Sequence, residues 1–248
     1  MNRSLYKHSF TLKNSPDYMC PKCNIGLLRI QENTFKNYTT FDVNEAMKHP
    51  EFEPEWVEYI FNCIFECNND RCDSKVLCTG HGSVGVDIEV DDYGQQYTEF
   101  DDYYRPLFFH PNLRLITIPE GTPADIERTL NKSFELFFTS PSAAANLVRI
   151  SIEEILTDQG VERMKSLHRR IEKLPEKHQS VKDHLLALKW LGNAGSHSDE
   201  ELSLDDTMDA YELVEYVLSK IYYSNPTDID RLAKEINDFK GPKKKRFL

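Results

Sequence analysis

The sequence predicts an α+β fold, in which a small β-rich N-terminal domain is followed by an antiparallel α-helical bundle. Two observations lead to this prediction. The first part of the 248-residue chain contains stretches in which apolar and polar residues alternate, such as CNIGLLRI and DSKVLCTGHGSVGVDIEV, and this period of two is typical of strands. From about Pro123 onward, apolar residues instead recur every three or four positions, as on one face of a helix.

The cysteines indicate what holds the N-terminal domain together. Cys20 and Cys23 form a Cys-x2-Cys pair, a spacing that lets two thiolates hold one Zn²⁺. Cys67 and Cys72 are the best candidates for a second pair, so these four residues predict a zinc ribbon. Four thiolates leave no open coordination position, and the Zn²⁺ would therefore be structural. Cys63, one helical turn before Cys67, stays open as a replacement for Cys67 or Cys72.

The zinc ribbon domain is predicted over residues 1–105, with an acidic insertion at about 32–62. The segment VNEAMKHPEFEPEWVEYIFNCIFEC is ambiguous and could hold a helical insertion around Pro54 to Ile64. A bridge over 106–123 follows, and its four prolines are expected to exclude long regular elements. Residues 226–248 are predicted to form a short helix and a basic tail that contains KKKR.

The helical bundle is predicted over residues 124–225, with short connections between antiparallel helices. Ser140 followed by Pro141 is a good helix start, because proline is favoured in the first turn. The expected helices cover 124–138, 140–160, 161–174, 180–191 and 204–223.

Charge is distributed unevenly along the chain. The net charge is -11, and residues 42–102 alone carry -13, from 16 acidic and 3 basic residues. Residues 163–189 carry +5, whereas 199–215 contain 8 acidic residues and no basic one. Because phosphates would be repelled by the acidic N-terminal domain, DNA or RNA binding is possible but not favoured, and the acidic surface is interpreted as a docking surface for a protein. The basic stretch could face RNA, but neutralising the acidic stretch 199–215, across the bundle or from a second protomer, is the favoured interpretation.

Two expectations concern the compartment. No apolar run approaches the roughly 18 to 20 residues that a membrane helix requires, so no membrane contact is expected. The N-terminus lacks the apolar core of a signal peptide, which predicts a cytoplasmic protein. A reducing compartment also favours metal-bound thiols over disulfides.

The order of several motifs resembles the DUF4145 family of bacterial proteins. The motifs are the Cys-Pro-x-Cys pair, YRPLFFHPNLRLITIP, SPSAAANLVRISIEEIL, LHRRIEKL and LKWLGNAGSH, and together they span about residues 20–223. The resemblance implies a HEPN-like helical bundle, because that family is placed in the HEPN superfamily. It also implies a homodimer through the bundle, and a role as a component or neighbour of bacterial restriction and anti-phage systems.

Active members of the wider superfamily are metal-independent ribonucleases. They use an arginine, a polar residue directly after it and a histidine four to six residues beyond the arginine. In this chain Asn193 matches the polar residue and His197 the histidine, but Gly192 stands in place of the arginine. Lys189 is the candidate substitute cation, although it lacks the bidentate fork of an arginine.

The expected function is therefore a non-catalytic interaction or regulatory module of a bacterial defence system, which docks a protein partner through its acidic surface. The alternative is a HEPN-type endoribonuclease that uses His197, Asn193 and Lys189 in a dimer cleft. A histidine without a neighbouring guanidinium stabilises the transition state of phosphodiester cleavage poorly, and the enzyme is the less favoured of the two.

Overall fold

A single antiparallel sheet forms the core of the N-terminal region. The computed structural model describes residues 2–91, 93–197, 201–223 and 237–238. The strands are β1 (Leu28–Ile30), β2 (Lys36–Thr39), β3 (Glu58–Cys67), β4 (Lys75–Val90) and β5 (Gln96–His110). They are ordered β1-β3-β4-β5, and β2 also pairs with β3. Two short helices accompany the sheet, α1 (Ser4–Lys7) before it and α2 (Phe41–Ala46) between β2 and β3.

The predicted fold class, a small N-terminal β-rich zinc ribbon followed by a HEPN-like antiparallel α-helical bundle, is wrong. The N-terminal region is a large curled sheet over 28–110, in which β4 and β5 have 16 and 15 residues. Helices of more than six residues are confined to the described part of the chain after Pro123. The α+β class therefore applies only to the chain as a whole.

Strand pairing also corrects two local predictions. The segment from Pro54 to Ile64 is not a helical insertion, because a short 3-10 turn at Pro54–Trp56 leads directly into β3. Residue Pro106 does not end the sheet, since β5 continues through it to His110. Proline lacks a backbone N–H, but it is tolerated here because β5 is an edge strand and the register shifts beside it, between Thr79 and Gly80.

The two faces of the sheet differ in character. Alternate residues of β3, among them Phe61, Cys63 and Phe65, are buried in the core, whereas the residues between them are partly or fully exposed. This alternation is the expected pattern for a sheet that buries one face.

Five helices follow the sheet: α3 (Ala124–Leu136), α4 (Pro141–Asp158), α5 (Leu167–Glu172), α6 (Lys182–His197) and α7 (Leu204–Tyr222). The predicted starts of α3, α4 and α7 are confirmed. Ser203 explains the sharp start of α7, because its side chain and that of Asp206 form a reciprocal capping box. Helix α4 is central, with Ala144, Val148, Ile152 and Ile155 all buried.

The predicted helix over 161–174 is much shorter than expected. Arg170 accounts for the difference, because its buried guanidinium donates hydrogen bonds to the carbonyls of Glu153, Val161 and Glu162 and to the Thr157 hydroxyl. These bonds require an irregular loop before α5 whose carbonyls turn toward Arg170. Helix α5 begins only after Ser166, whose hydroxyl accepts from the Arg169 N–H.

The sheet and the helices share one hydrophobic core. Phe109 of β5 packs against Phe138 with ring centroids 5.3 Å apart. The N-terminal segment binds α7 through charges, since Arg3 contacts Asp209 and Glu212, each at 2.6 Å. Among the described residues, no helix is both long and apolar enough to cross a bilayer. The predicted short helix and basic tail at 226–248 lie almost wholly outside the described residues.

Candidate metal centre and surrounding surfaces

Four cysteines from two separate loops meet beside the sheet. Cys20 and Cys23 lie in the turn before β1, Cys67 is the last residue of β3, and Cys72 lies in the turn between β3 and β4. The two turns are held together by backbone bonds, because the Asn68 N–H donates to the Leu27 carbonyl at 2.9 Å. The sheet register thus brings into contact residues that lie more than forty positions apart.

The distances between the sulfur atoms suit a tetrahedral metal. All four Sγ atoms lie within 4.8 Å of one another, with 3.9 Å between Cys20 and Cys72 and 3.6 Å between Cys23 and Cys67. Four sulfurs at about 2.3 Å from a central Zn²⁺ would be about 3.8 Å apart. The six cysteines are free thiols rather than disulfides. The cluster can therefore hold a metal ion.

Backbone N–H groups support the sulfurs. Gly26 donates to the Cys23 Sγ at 3.4 Å, and Asn69 donates to the Cys67 Sγ at 3.5 Å. The N–H groups of Gly26 and Ile25 lower the pKa of Cys23 to about 6. Burial in turn raises the pKa of Cys67 to about 12 in the absence of a cation. A divalent cation at the centre would stabilise both thiolates.

Local backbone geometry makes room for the cluster. Asn24 takes a left-handed conformation with φ of 52°, which asparagine tolerates better than most residues. A Cβ at Gly26 would lie only 2.5 Å from the Cys67 Sγ. Glycine is therefore required where the first turn approaches the second.

Cys63 lies elsewhere. It is fully buried in the core and stands opposite Cys78 in the β3–β4 register. Among the described residues, the metal-ligating cluster consists of the four predicted cysteines and does not include Cys63.

The residues of the predicted ribonuclease motif lie on α6. The Lys189 ammonium is 3.5 Å from the centre of the neighbouring Trp190 ring, a cation–π contact. Asn193 is partly buried in the last turns of the helix. His197 is the last residue of α6, but its side chain lies outside the described residues. A shared catalytic arrangement of Lys189, Asn193 and His197 therefore stays a prediction.

Gly192 is a point of close approach between α6 and α4. A Cβ on Gly192 would lie 2.4 Å from the Cβ of Arg149 and 3.0 Å from its Cγ and Cδ. The Arg149 guanidinium donates to Glu153 at 2.9 Å and to Asn146 at 3.2 Å. Gly192, at the position where the predicted motif has an arginine, is therefore a helix contact, and a side chain there would require α4 and α6 to shift. The i, i+4 spacing of Arg149 and Glu153 in the sequence indicates their ion pair, but the contact of Arg149 with Gly192 was not predicted, because no local signal joins positions 149 and 192.

The outer half of the β4–β5 hairpin, residues 85–90 and 96–101, is a second candidate site. We refer to it as the outer hairpin. Pairing of β4 with β3 stops at Ser83, so the outer hairpin has no neighbouring strand among the described residues. One face exposes four apolar side chains: Val86 (41 %), Ile88 (70 %), Val90 (58 %) and Phe100 (47 %).

The opposite face of the outer hairpin is acidic. Asp87 stands opposite Glu99, and Asp101 is two residues further along β5. The Lys13 ammonium contacts Glu99 at 3.3 Å and Asp101 at 3.1 Å, and the Tyr103 hydroxyl donates to Asp87 at 2.5 Å. Among the side chains that the structure describes here, three carboxylates therefore lie beside one cation, Lys13. The alternation in GSVGVDIEV was the sequence signal for these two faces.

Two family models match the chain. Residues 131–239 match the Domain of unknown function (DUF4145), and residues 8–109 match the Domain of unknown function (DUF8608). The resemblance to the DUF4145 family is thus confirmed for the helical region, whereas the sheet matches a different model. No curated protein and no solved structure showed significant similarity to this chain.

Proposed function

We propose that this chain is a non-catalytic interaction module. Its DUF4145-like helical region follows a sheet, and four cysteines lie together at one end of that sheet. The chain would dock a protein partner through the acidic outer hairpin. The observation that carries the proposal is the outer hairpin itself, whose strand edges are unpaired among the described residues and whose two faces are apolar and acidic. Proteins generally cover such edges or block them with charges, and larger exposed apolar patches mark interaction sites.

The expected partner surface is apolar and basic. Covering the exposed parts of Val86, Ile88, Val90 and Phe100 would contribute about 3 to 6 kcal/mol, at half the value for full burial of each side chain. Association costs at least about 4 kcal/mol in lost freedom, so the apolar face alone gives weak binding. Cations that reach Asp87, Glu99 and Asp101 would add affinity and specificity.

The metal in this proposal is a structural Zn²⁺ held by Cys20, Cys23, Cys67 and Cys72. The sulfur separations of 3.6 and 3.9 Å support a tetrahedral thiolate site, which zinc commonly occupies. The ion would fix the turn before β1 to the β3–β4 turn, at the opposite end of β4 from the outer hairpin.

The setting in a bacterial defence system rests on the DUF4145 resemblance alone. The non-catalytic character is supported by Gly192, which leaves no space for the motif arginine, and by the contact of Lys189 with Trp190. Purified protein is expected to leave single-stranded RNA intact without added metal. Cleavage that is lost in His197→Ala, with an unchanged melting temperature, would instead establish the ribonuclease.

The docking surface is tested by crosslinking in the native host. A photo-crosslinking phenylalanine analogue at Ile88 should give one discrete adduct, whereas the same analogue at the equally exposed Phe41 should give none. The adduct should disappear when Asp87, Glu99 and Asp101 are all changed to lysine. Changing Glu51, Glu53 and Glu55 to lysine is the matched control, because it alters the net charge equally in the acidic segment before β3.

Each outcome of the crosslinking is informative. An adduct that survives the hairpin reversal but is lost in the Glu51, Glu53 and Glu55 variant would place the docking surface before β3. The absence of any adduct from Ile88 would contradict docking through the outer hairpin. A crosslink between two copies of this chain would identify the surface as a homodimer contact instead.

A further inference from the structure

A basic groove lies in the helical region, at α5 and the loop before it. It has a volume of about 740 Å³ and is lined by Met164, Lys165, Ser166, Arg169, Glu172 and Lys173. Three of its six lining residues are therefore cations, in a chain whose net charge is -11. The net charge of the whole chain does not explain why positive side chains are concentrated at this groove.

The cations of the groove have no anionic partner within the described chain. Lys165, Arg169 and Lys173 are all exposed, and none takes part in an ion pair there, since Glu172 pairs with Lys182 instead. The adjacent Arg170 shows the contrast, because its guanidinium is buried and donates four hydrogen bonds. Arg170 thus fixes the segment in place, while its neighbour Arg169 is left available to a ligand.

The part of the acidic stretch 199–215 that lies on α7 already has other partners. Helix α7 contains five acidic residues, and each has another partner in the described structure. The contacts are Lys7 to Asp205, Arg3 to Asp209 and Glu212, the Ser203 hydroxyl to Asp206, and the Thr117 N–H to Glu215. Three of these five carboxylates are therefore neutralised by Arg3 and Lys7 of the N-terminal segment and not by the groove. Neutralisation of the basic stretch by the rest of 199–215 or by a second protomer stays a prediction.

We propose that the groove formed by Lys165, Arg169 and Lys173 binds the phosphodiester backbone of a nucleic acid strand. Arginine and lysine are the usual phosphate ligands, and arginine can contact two phosphate oxygens at once. A small ligand requires a site that buries most of its surface, whereas this groove offers exposed cations on long side chains. A polyanion that makes several exposed charge contacts suits it better.

The acidic character of the chain does not prevent this binding. Exposed charges farther apart than about 8 Å are largely screened at physiological ionic strength. The cations in the groove therefore determine the local potential that a bound phosphate experiences. The overall negative charge is expected to slow association and to make binding weak rather than to abolish it.

The test measures fluorescence anisotropy of a labelled 20-nucleotide oligo-uridine RNA titrated with the full chain. Binding should weaken with salt, with a slope of log K against log salt of about -2 for three phosphate contacts. Changing Lys165, Arg169 and Lys173 to glutamate should lower the affinity at least tenfold. The matched control changes Lys36, Arg105 and Lys132 to glutamate. These positions are exposed and have no ion pair in the described chain, and the change in net charge is the same. The control should alter the affinity less than threefold.

Four results would overturn the proposal. No salt-dependent RNA binding, or equal weakening by the control variant, would show that the groove is not the site. Equal binding of a polyglutamate peptide would indicate an acidic protein as the occupant. A dimer in light scattering that becomes a monomer only in the groove variant would indicate a second copy. Because the outer hairpin is unchanged in this variant, failure here is separable from failure of the docking proposal.

Discussion

Replacing Gly192 by alanine tests the close contact between α4 and α6. The new methyl group would lie 2.4 Å from the Arg149 Cβ, whereas carbon atoms in contact are about 3.5 to 4.0 Å apart. Both Cβ atoms are fixed to backbones, so the helices would have to separate by about 1 Å or more. Helix α4 resists this movement, because Ile152 and Ile155 are completely buried.

Two effects of opposite sign determine the result. Alanine is the better helix former, by about 1 kcal/mol. Overpacking of a close contact costs about 1 to 3 kcal/mol, and the overlap here is severe enough to place the cost near the upper end. We expect Gly192→Ala to lower the free energy of unfolding by about 1 to 2 kcal/mol, which corresponds to a melting temperature lower by about 2 to 8 °C.

A double-mutant cycle isolates the contact. Arg149→Gly removes the Cβ that the new methyl group would meet, so Gly192→Ala should become neutral or stabilising in that background. Gly160→Ala is the control, because its methyl group meets open space and its cost comes from a φ of 77°; it should not couple to Arg149→Gly. Urea unfolding of the six proteins, namely the four of the cycle and the two that carry Gly160→Ala, measures the free energy of unfolding of each. An increase in stability for Gly192→Ala in the otherwise unchanged protein would refute the reasoning.

Two further predictions concern the metal centre and the N-terminal segment. Cys23→Ser should reduce the bound zinc from about one equivalent to a small fraction and lower the melting temperature, whereas Cys63→Ser should retain the metal. Metal analysis of the two variants measures the difference. Loss of zinc from Cys63→Ser alone would exclude the proposed ligand set. The Arg3 guanidinium lowers the pKa of Glu212 by donating hydrogen bonds to its carboxylate. The stabilisation from this contact is therefore complete above the ordinary glutamate pKa of 4.5, and it disappears as the pH falls through the lowered pKa. Arg3→Gln should therefore cost less than about 1 kcal/mol at pH 7 and nothing at low pH, and an equal cost at both pH values in denaturant titrations would contradict the electrostatic origin.

The sequence allowed good prediction of features that depend on nearby residues. The start of α4 follows from Ser140 and Pro141, because proline is favoured only in the first turn. The four cysteines that meet in the structure were identified from two short spacings. In both cases, the physical cause lies within a few residues of the feature.

Features that depend on distant residues could not be predicted in this way. The large sheet was underestimated because the lengths of β4 and β5 depend on their mutual pairing over fourteen residue pairs, which alternation alone does not specify. Cys63 could be set apart from the ligands only through its register opposite Cys78. The short α5 results from the bonds of Arg170 to carbonyls up to 17 positions away.

The formal charge summed along a stretch of sequence is a poor guide to what that stretch binds. The five acidic residues of α7 count against phosphate binding in any sum, yet each has a partner within the fold, and three of the five pair with Arg3 or Lys7 of the N-terminal segment. The cations of the groove count equally in the sum but have no anionic partner in the described chain. The outer hairpin has the reverse imbalance, with three carboxylates beside Lys13. Because short-range contacts determine what remains unpaired, one acidic chain can present an anionic docking surface and a separate groove for phosphates.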